Sequence, residues 1–319
     1  MRLGAALLAV VALAFAPPAA AESPGFDLQA HAGGRGQATG ESMRAFAKSI
    51  ELGVSTLELD INVTKDRQPL VWHDPVIDPQ QCSGTGPAFT GDPSYPYVGK
   101  LIHELTLAQI RTLDCGKPNS QFPNAEVLLR NKIAILPDVF SLADSYHADV
   151  RYNIETKVAA DRPGISADPQ EFVDVVLAAI RAAGKVGRVE IQSFDWRTLP
   201  LVHRAEPSIP LVALWDEQTW VADSPWLGGV NPAVIGDPVI GATLVGANIL
   251  SPDYALVDKS LVDRAHSLGL KVIPWTVDDA DDMRAQIADG VDGLITNYPA
   301  TLRAVMAELG MPLPLAYRR

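Results

Sequence analysis

The sequence alternates short apolar segments with longer segments of helical period, and this alternation is the feature that most constrains its fold. The short segments predict strands over residues 26–30, 54–63, 69–72, 151–154, 189–192, 211–214, 249–250, 271–275 and 293–296. The amphipathic segments predict helices over residues 42–52, 136–146, 168–183, 196–205, 256–268, 280–289 and 299–309. Strands that alternate with helices pair in parallel, so the pattern predicts an α/β protein with a parallel sheet.

Two architectures accommodate such a sheet, a closed (β/α)8 barrel and an open, doubly wound sheet. The barrel is favoured because about eight strand–helix units are present, and because no Gly-x-Gly-x-x-Gly turn follows the first strand. The chain has 319 residues, and α/β barrels often use about 250 residues or more as one domain. The sequence therefore predicts a (β/α)8 TIM barrel, as a single domain over residues 22–319.

Residues 1–21 have the features of a secretory signal peptide. Arg2 precedes an apolar run over residues 3–16, two prolines interrupt this run, and three alanines offer a small-residue cleavage site at residues 19–21. The run is short for a transmembrane anchor, which needs about 20 apolar residues. We therefore expect an exported protein, periplasmic or secreted, with no transmembrane segment.

The two cysteines, Cys82 and Cys115, lie in a stretch rich in Gly, Pro, Ser and Tyr that runs from Pro75 to about Asn124. In an exported protein an even pair of cysteines favours one disulfide. Metal binding by two thiols alone is the weaker alternative.

The charge balance argues against nucleic acid as a partner. Lys and Arg number 26 against 38 Asp and Glu, for a net charge of −12. Non-specific nucleic-acid binding relies on Lys and Arg against phosphates. A small anionic substrate is not excluded, because a local cluster or a metal ion can reverse the local field.

Polar residues interrupt or follow the apolar strands near their carboxyl ends, where catalytic residues of α/β barrels lie. They are His31, Glu58, Asp60, His73, Glu155, Lys157, Gln192 and Trp275. This recurrence is stronger evidence for a site than any single residue.

Three of these residues are carboxylates that would converge at the barrel mouth. Glu58 and Asp60 are two residues apart on one strand, so their side chains share a face. Glu155, on a later strand, adds a third. Such a group suits Ca²⁺ or Mg²⁺, which prefer oxygen ligands. Solvated acids at an exposed edge are the alternative.

The basic residues complete this pattern. His31 and His73 would form an acid/base pair, because imidazole titrates near neutral pH, whereas hydrogen-bonded structural histidines are the alternative. Lys157 would hold phosphate oxygens or pair with a carboxylate. The glycine-rich loop over residues 31–36 carries Arg35, a second candidate for binding an anion.

The chain resembles the glycerophosphodiester phosphodiesterase family in two long runs, HAGGRGQATGESMRAF and GVSTLELDINVTKDRQPLVWHD. The usual family pattern is His-Arg-Gly, Glu-Asn-Thr, Glu-Leu-Asp, Thr-Lys-Asp-Gly and His-Asp, in this order. The later runs NIETK, EIQSFD, KVIPWTV and VDGLITNYP are similar to the family's later strand ends. The resemblance covers nearly the whole mature chain.

The resemblance implies a TIM barrel with a small insertion, over about residues 75–124, after the strand that ends at His73. It implies one divalent cation, Ca²⁺ or Mg²⁺, on Glu58, Asp60 and Glu155. It also implies that the two strand-end histidines are the catalytic acid and base.

The resemblance assigns roles to the remaining candidates. Lys157 would contact the phosphate, and Gln192 and Trp275 would line the substrate mouth. Asp74 would support the loop that carries the second catalytic histidine, and Glu41 is retained as a further supporting residue.

The chain departs from the family pattern at several positions. Ala32 stands where the family has an arginine that meets the phosphate, and Arg35 lies close enough in the glycine-rich loop to replace it. Ser42 and Met43 replace Asn-Thr, and Arg67 replaces a glycine. These changes bear on the range of substrates.

The leading hypothesis is metal-dependent hydrolysis of a glycerophosphodiester to sn-glycerol 3-phosphate and an alcohol. One alternative is a phospholipase D-type barrel enzyme that acts on choline phospholipids, with Trp215, Trp220 and Trp226 as a membrane-facing rim. A second alternative is a non-catalytic barrel that binds phosphodiesters.

Overall fold

The structure is a computed structural model that describes residues 25–319, so the predicted signal peptide lies outside the described residues. The strands are β1 (Asp27–Ala30), β2 (Thr56–Val63), β3 (Pro69–Val71), β4 (Arg151–Thr156), β5 (Val189–Ser193), β6 (Leu211–Trp215), β7 (Ile249–Pro252), β8 (Lys271–Val272) and β9 (Gly293–Thr296). The helices are α1 (Met43–Leu52), α2 (Leu107–Ile110), α3 (Leu136–Ser145), α4 (Pro169–Ala182), α5 (Thr198–Ala205), α6 (Pro232–Ile235), α7 (Pro238–Leu244), α8 (Lys259–Ser267), α9 (Ala280–Asp289) and α10 (Pro299–Glu308). Within the described residues, no helix combines the length and the apolar character needed to cross a bilayer.

Eight of these nine strands are parallel and form a nearly closed barrel. They pair in the order β8-β7-β6-β5-β4-β2-β1-β9. Backbone hydrogen bonds bring the two end strands together, from Asp292 N to Val272 O at 2.8 Å and from Ile295 N to Pro274 O at 3.0 Å. Helices connect successive barrel strands, and the prediction of a (β/α)8 barrel is confirmed.

Strand β3 differs from the predicted pattern, because it is a hairpin strand and not a barrel strand. It pairs antiparallel with β2, with Val71 opposite Ile61. The chain then returns toward the barrel, and Trp72 N donates to Asp60 O at 3.0 Å. His73 therefore reaches the barrel mouth on a returning strand, and not at the carboxyl end of a barrel strand.

The two faces of β2 show how the barrel separates apolar from polar side chains. Leu57, Leu59 and Ile61 belong to the main apolar core that the strands share with the helices. Glu58 and Asp60 alternate with them and point to the opposite face, which is the barrel interior. All eight residues of the strand are buried, so these carboxylates are removed from bulk water.

Helix α1 begins and ends at residues that favour helix termini. Ser42 Oγ accepts a hydrogen bond from Ala45 N at 3.1 Å, and Gly53 ends the helix with a φ of 91°. Phe46 and Ile50 are fully buried against the barrel. The cap anchors the end of the glycine-rich loop that leaves β1.

The segment between β3 and α3 is an insertion with its own apolar cluster, separate from the main core. The structure joins Cys82 to Cys115 in a disulfide inside it. The irregular stretch continues to α3, beyond the end expected near residue 124. Its last part lies against the glycine-rich loop, where Thr39 N donates to Glu126 O at 2.9 Å.

Candidate active site

Three carboxylates meet at the carboxyl ends of β2 and β4. The register places Asp60 opposite Glu155, and Glu58 lies on the same face of β2 as Asp60. Carboxylate oxygens of all three lie within 4.8 Å of one another. Glu58 and Asp60 are 1% exposed and Glu155 is 7% exposed, so they are not solvated acids at an edge.

Lys157 is the cation that faces this carboxylate cluster. Its Nζ lies 2.8 Å from Glu155 Oε1 and 3.7 Å from Asp60 Oδ1. Burial and the neighbouring Asp60 raise the pKa of Glu58 well above its ordinary value, and burial raises the pKa of Glu155 to about 7 despite Lys157. If all three carboxylates are ionised, their negative charge therefore exceeds the positive charge of Lys157.

Asp60 has a carboxylate oxygen without a hydrogen-bond partner among the described residues. Burial raises its pKa, but Lys157, His73 and His31 outweigh this effect and hold the pKa below its ordinary value. Asp60 Oδ2 is buried and accepts no hydrogen bond from the described residues. An ionised carboxylate with an unpartnered oxygen fits a divalent cation that takes oxygen ligands.

Two donors orient the carboxylate of Glu58. Ala32 N donates to Oε2 at 2.8 Å, and Gln192 Nε2 donates to Oε1 at 2.7 Å. Gln192 is 2% exposed, and its amide contacts Glu58 at the carboxylate cluster. Glu41 Oε1 accepts from Asp60 N at 3.2 Å, so Glu41 contacts the backbone of β2 at the cluster.

The two histidines differ in exposure. His31 Nε2 lies 4.0 Å from Glu58 Oε2, and burial, with Arg35 nearby, lowers the pKa of His31 to about 3. His73 is half exposed, and its Nδ1 lies 2.8 Å from Asp74 Oδ1. That hydrogen bond lowers the pKa of Asp74.

Arg35 is held beside His31 by a residue that the sequence analysis missed. Asn297 directly follows β9, and its Oδ1 lies 2.7 Å from His31 Nδ1 and accepts from Arg35 Nε at 2.9 Å. The guanidinium carbon of Arg35 lies 5.0 Å from the ring centroid of Phe122, which belongs to the insertion. A polar residue at a strand end was the available signal for Asn297, whereas no pattern marks Phe122.

An aromatic cluster lies near Lys157. The ring centroid of Phe194 lies 5.3 Å from that of Trp275 and 6.5 Å from that of Trp226, with edge-to-face geometry in both pairs. Lys157 Nζ lies 6.0 Å from the Phe194 centroid. The cluster places Trp275 near the group that is expected to contact the phosphate.

Of the other two tryptophans considered for a membrane-facing rim, Trp215 is buried in the core and Trp220 is partly buried and packs against it. Trp215 is 5% exposed and is part of the main core. The ring of Trp220 lies 5.9 Å from the ring of Trp215 and 5.9 Å from that of Trp196. These contacts are core packing, so they remove two of the three tryptophans from the expected rim.

Residues 31–301 match the glycerophosphoryl diester phosphodiesterase family. The chain belongs to this family. It is 29% identical over 274 residues to a glycerophosphodiester phosphodiesterase of Caldanaerobacter subterraneus subsp. tengcongensis, covering 86% of this chain and 94% of that protein. It is 27% identical over 275 residues to a glycerophosphodiester phosphodiesterase of Bacillus subtilis, covering 85% and 83%.

Solved structures related to the family share the fold. A putative glycerophosphoryl diester phosphodiesterase from Silicibacter pomeroyi matches with a TM-score of 0.78 at 26% identity, over 91% of this chain and 96% of that chain. A phosphodiesterase from Oleispira antarctica, in complex with the product sn-glycerol 3-phosphate, matches with a TM-score of 0.65 at 17% identity, over 88% and 96%.

Proposed function

We propose that the protein hydrolyses glycerophosphodiesters to sn-glycerol 3-phosphate and an alcohol, with one divalent cation at the carboxylate cluster. The observation that carries the proposal is the convergence of three buried carboxylates, a partly buried lysine and two histidines at one barrel mouth. Family membership and the product complex of the Oleispira antarctica enzyme support the same substrate class.

Glu58, Asp60 and Glu155 would hold the cation, and Ca²⁺ or Mg²⁺ suits their oxygen donors. When bound, such an ion stabilises negative charge on a phosphate group. Lys157 would add a second positive charge at the phosphate, because its Nζ already lies among the carboxylates. Arg35 would add a third from the glycine-rich loop.

The environments of the two histidines suggest different roles. Burial lowers the pKa of His31, so its ring is neutral near pH 7 and has an unprotonated nitrogen that would accept a proton from the nucleophile. His73 Nδ1 lies 2.8 Å from Asp74 Oδ1, so this carboxylate would orient the ring, and His73 would protonate the leaving alcohol oxygen. The nucleophile is water or a neighbouring hydroxyl of the substrate, which would first give a cyclic phosphate.

The phospholipase D-type alternative is weaker, because two of its three expected rim tryptophans pack in the core. The non-catalytic alternative is weaker too, because both histidines and all three carboxylates converge. The aromatic cluster of Phe194, Trp226 and Trp275 offers apolar contact to the carbon atoms of a small diester.

The test is the release of sn-glycerol 3-phosphate from glycerophosphocholine and glycerophosphoethanolamine, compared with hydrolysis of phosphatidylcholine vesicles. We expect turnover of the small diesters only, loss of turnover in excess EDTA, and recovery with Ca²⁺ or Mg²⁺. The Glu155→Gln variant should need more cation for the same rate, whereas Glu217→Gln, at an exposed position, should behave as the wild type. Full turnover in EDTA would overturn the role of the cation, and no turnover of any diester would favour the non-catalytic barrel.

We also infer that the protein functions outside the cytoplasm. The Cys82–Cys115 disulfide supports this location, because such bonds persist in oxidising compartments. The test is the mass of the protein recovered from the extracytoplasmic fraction. This mass should correspond to a chain that begins at Glu22. A full-length chain in the cytoplasm would contradict the inference.

A further inference from the structure

Asp278 determines which way the side-chain amide of Asn297 points. Asp278 Oδ2 accepts from Asn297 Nδ2 at 2.6 Å, and Asp278 Oδ1 accepts from Asn297 N at 2.9 Å. Thr296 Oγ1 also donates to Asp278 Oδ1, at 3.2 Å. Because an ionised carboxylate only accepts hydrogen bonds, the NH₂ group of Asn297 faces Asp278 and its oxygen faces the barrel mouth.

The oxygen of Asn297 meets two functional groups at once. His31 Nδ1 lies 2.7 Å from it, and Arg35 Nε donates to it at 2.9 Å. Since an amide oxygen has no hydrogen to donate, His31 Nδ1 must carry one. The neutral ring then has its lone pair on Nε2, the nitrogen that faces Glu58.

We propose that Asp278 and Asn297 act as a positioning pair, which selects the His31 tautomer with a free Nε2 and holds Arg35 beside it. Arg35 would take the role of the arginine that the family pattern has at the position of Ala32. The side-chain oxygen of Asn297 and the ring of Phe122 hold the guanidinium from two contacts, so its other nitrogens are available to an anion. The inference rests on the proposed function for its catalytic consequence, but the tautomer itself is a property of the resting protein.

The first test reads the tautomer without any substrate. ¹⁵N NMR of the protein labelled at its six histidines separates protonated from unprotonated ring nitrogens, and the His31→Gln variant assigns the signals. We expect Nδ1 of His31 to be protonated and Nε2 to be unprotonated near pH 7.5. The opposite tautomer in the wild type would overturn the proposal, whether or not the protein hydrolyses a diester.

The second test uses kinetics. Asn297→Ala should lose the pure Nδ1–H tautomer, lower kcat by about tenfold and raise KM, because both His31 and Arg35 lose their common acceptor. Arg35→Ala should raise KM and leave the tautomer intact. Asn248→Ala is the matched control, because the Asn248 oxygen accepts from Leu211 N in a purely structural contact, and it should change neither reading.

The third test exchanges the two side chains. Asn297→Asp alone places two carboxylates against each other and should lose activity. The double variant Asp278→Asn/Asn297→Asp restores a donor at position 278 and an acceptor at position 297, so kcat should recover to within about threefold of the wild type with the Nδ1–H tautomer retained. An Asn297→Ala variant with wild-type kinetics and an unchanged tautomer would refute the positioning role. A wild type that shows the expected tautomer but hydrolyses no diester would refute only the proposed function.

Discussion

Replacing Gln192 by leucine tests whether a residue behind the carboxylate cluster controls the affinity for the cation. Gln192 Nε2 donates to Glu58 Oε1 at 2.7 Å, and Gln192 Oε1 accepts from Asn153 Nδ2 at 3.0 Å. Leucine fills nearly the same volume but has no donor. Glu58 then keeps Ala32 N as an orienting donor at its other oxygen.

The expected magnitude follows from that single contact. A hydrogen bond to a charged group contributes about 1.5–3 kcal/mol, and about 1.4 kcal/mol corresponds to a factor of ten. Part of this energy is regained when Glu58 turns toward another partner in the cation-free protein. We therefore expect Gln192→Leu to raise the cation concentration for half-maximal rate by about 10- to 100-fold, the range seen when residues behind metal ligands are changed.

The assay is the rate of diester hydrolysis as a function of free Ca²⁺ or Mg²⁺ in a metal buffer. Gln218→Leu is the matched control, because this glutamine is exposed, and it should titrate as the wild type. Near-normal kcat at saturating cation is expected, since the side-chain partners of Gln192 are Glu58 and Asn153 and neither histidine is altered. An unchanged half-maximal cation concentration in Gln192→Leu would refute the orienting role.

The remaining predictions concern the histidines, the response to pH and the disulfide. His31→Ala and His73→Ala should each lower kcat by about 10² to 10⁴ and KM should change less, and each should remove one limb of the pH–rate profile; wild-type kcat in either variant would contradict the acid/base assignment. In the cation-free folded protein the pKa of Glu155 is about 7, whereas its ordinary value is 4.5. Between these two pH values the folded protein holds a proton that the unfolded chain has released. The free energy of unfolding therefore falls as the pH rises from 4.5 to 7. The increase in Tm on adding cation should therefore grow from pH 5 to pH 7, and Glu155→Gln should reduce that growth, as thermal scans would show; a pH-independent increase in the wild type would count against it. Replacing Cys82 and Cys115 by serine opens a loop with a sequence separation of 33 and should lower the free energy of unfolding by about 4 kcal/mol. Hydrogen exchange should become faster in the insertion than in the barrel. Equal changes in both regions would contradict a local role of the disulfide.

Periodicity was sufficient to predict the barrel but not the identity of each strand. The bounds of α9 and β9 agree with the apolar pattern, because regular packing continues to both ends of these elements. The strand at residues 69–72 was predicted, but its antiparallel pairing with β2 was not, since a short apolar run has the same appearance in a barrel strand and in a hairpin. The predicted strand over 271–275 is regular only at Lys271–Val272, and Pro274 has no N–H with which to extend a ladder.

The sequence predicted some features of the candidate site and not others. The carboxylates were predictable, because same-face spacing and parallel pairing bring strand ends together. The partner of Gln192 was not predictable, because an amide inside a barrel can face substrate or a neighbouring side chain. Only the register of the strands decides which of these it contacts. Asn297 precedes a helix as well as following a strand, so its sequence position alone suits a helix terminus equally well.

The positions of the site residues along the chain have a consequence for the order in which binding and turnover arise during folding. Glu58, Asp60 and Glu155 come from two adjacent strands in the first half of the chain, whereas the His31–Asn297 contact spans 266 positions and forms only when β9 docks against β1. Loop closure over such a distance is slow relative to local pairing. A molecule whose last strand has not docked would therefore bring the three carboxylates together and still lack the contact of His31, the proposed base, with Asn297. We therefore expect cation uptake to report on the pairing of β2 with β4, and diester hydrolysis to report on the docking of β9 against β1.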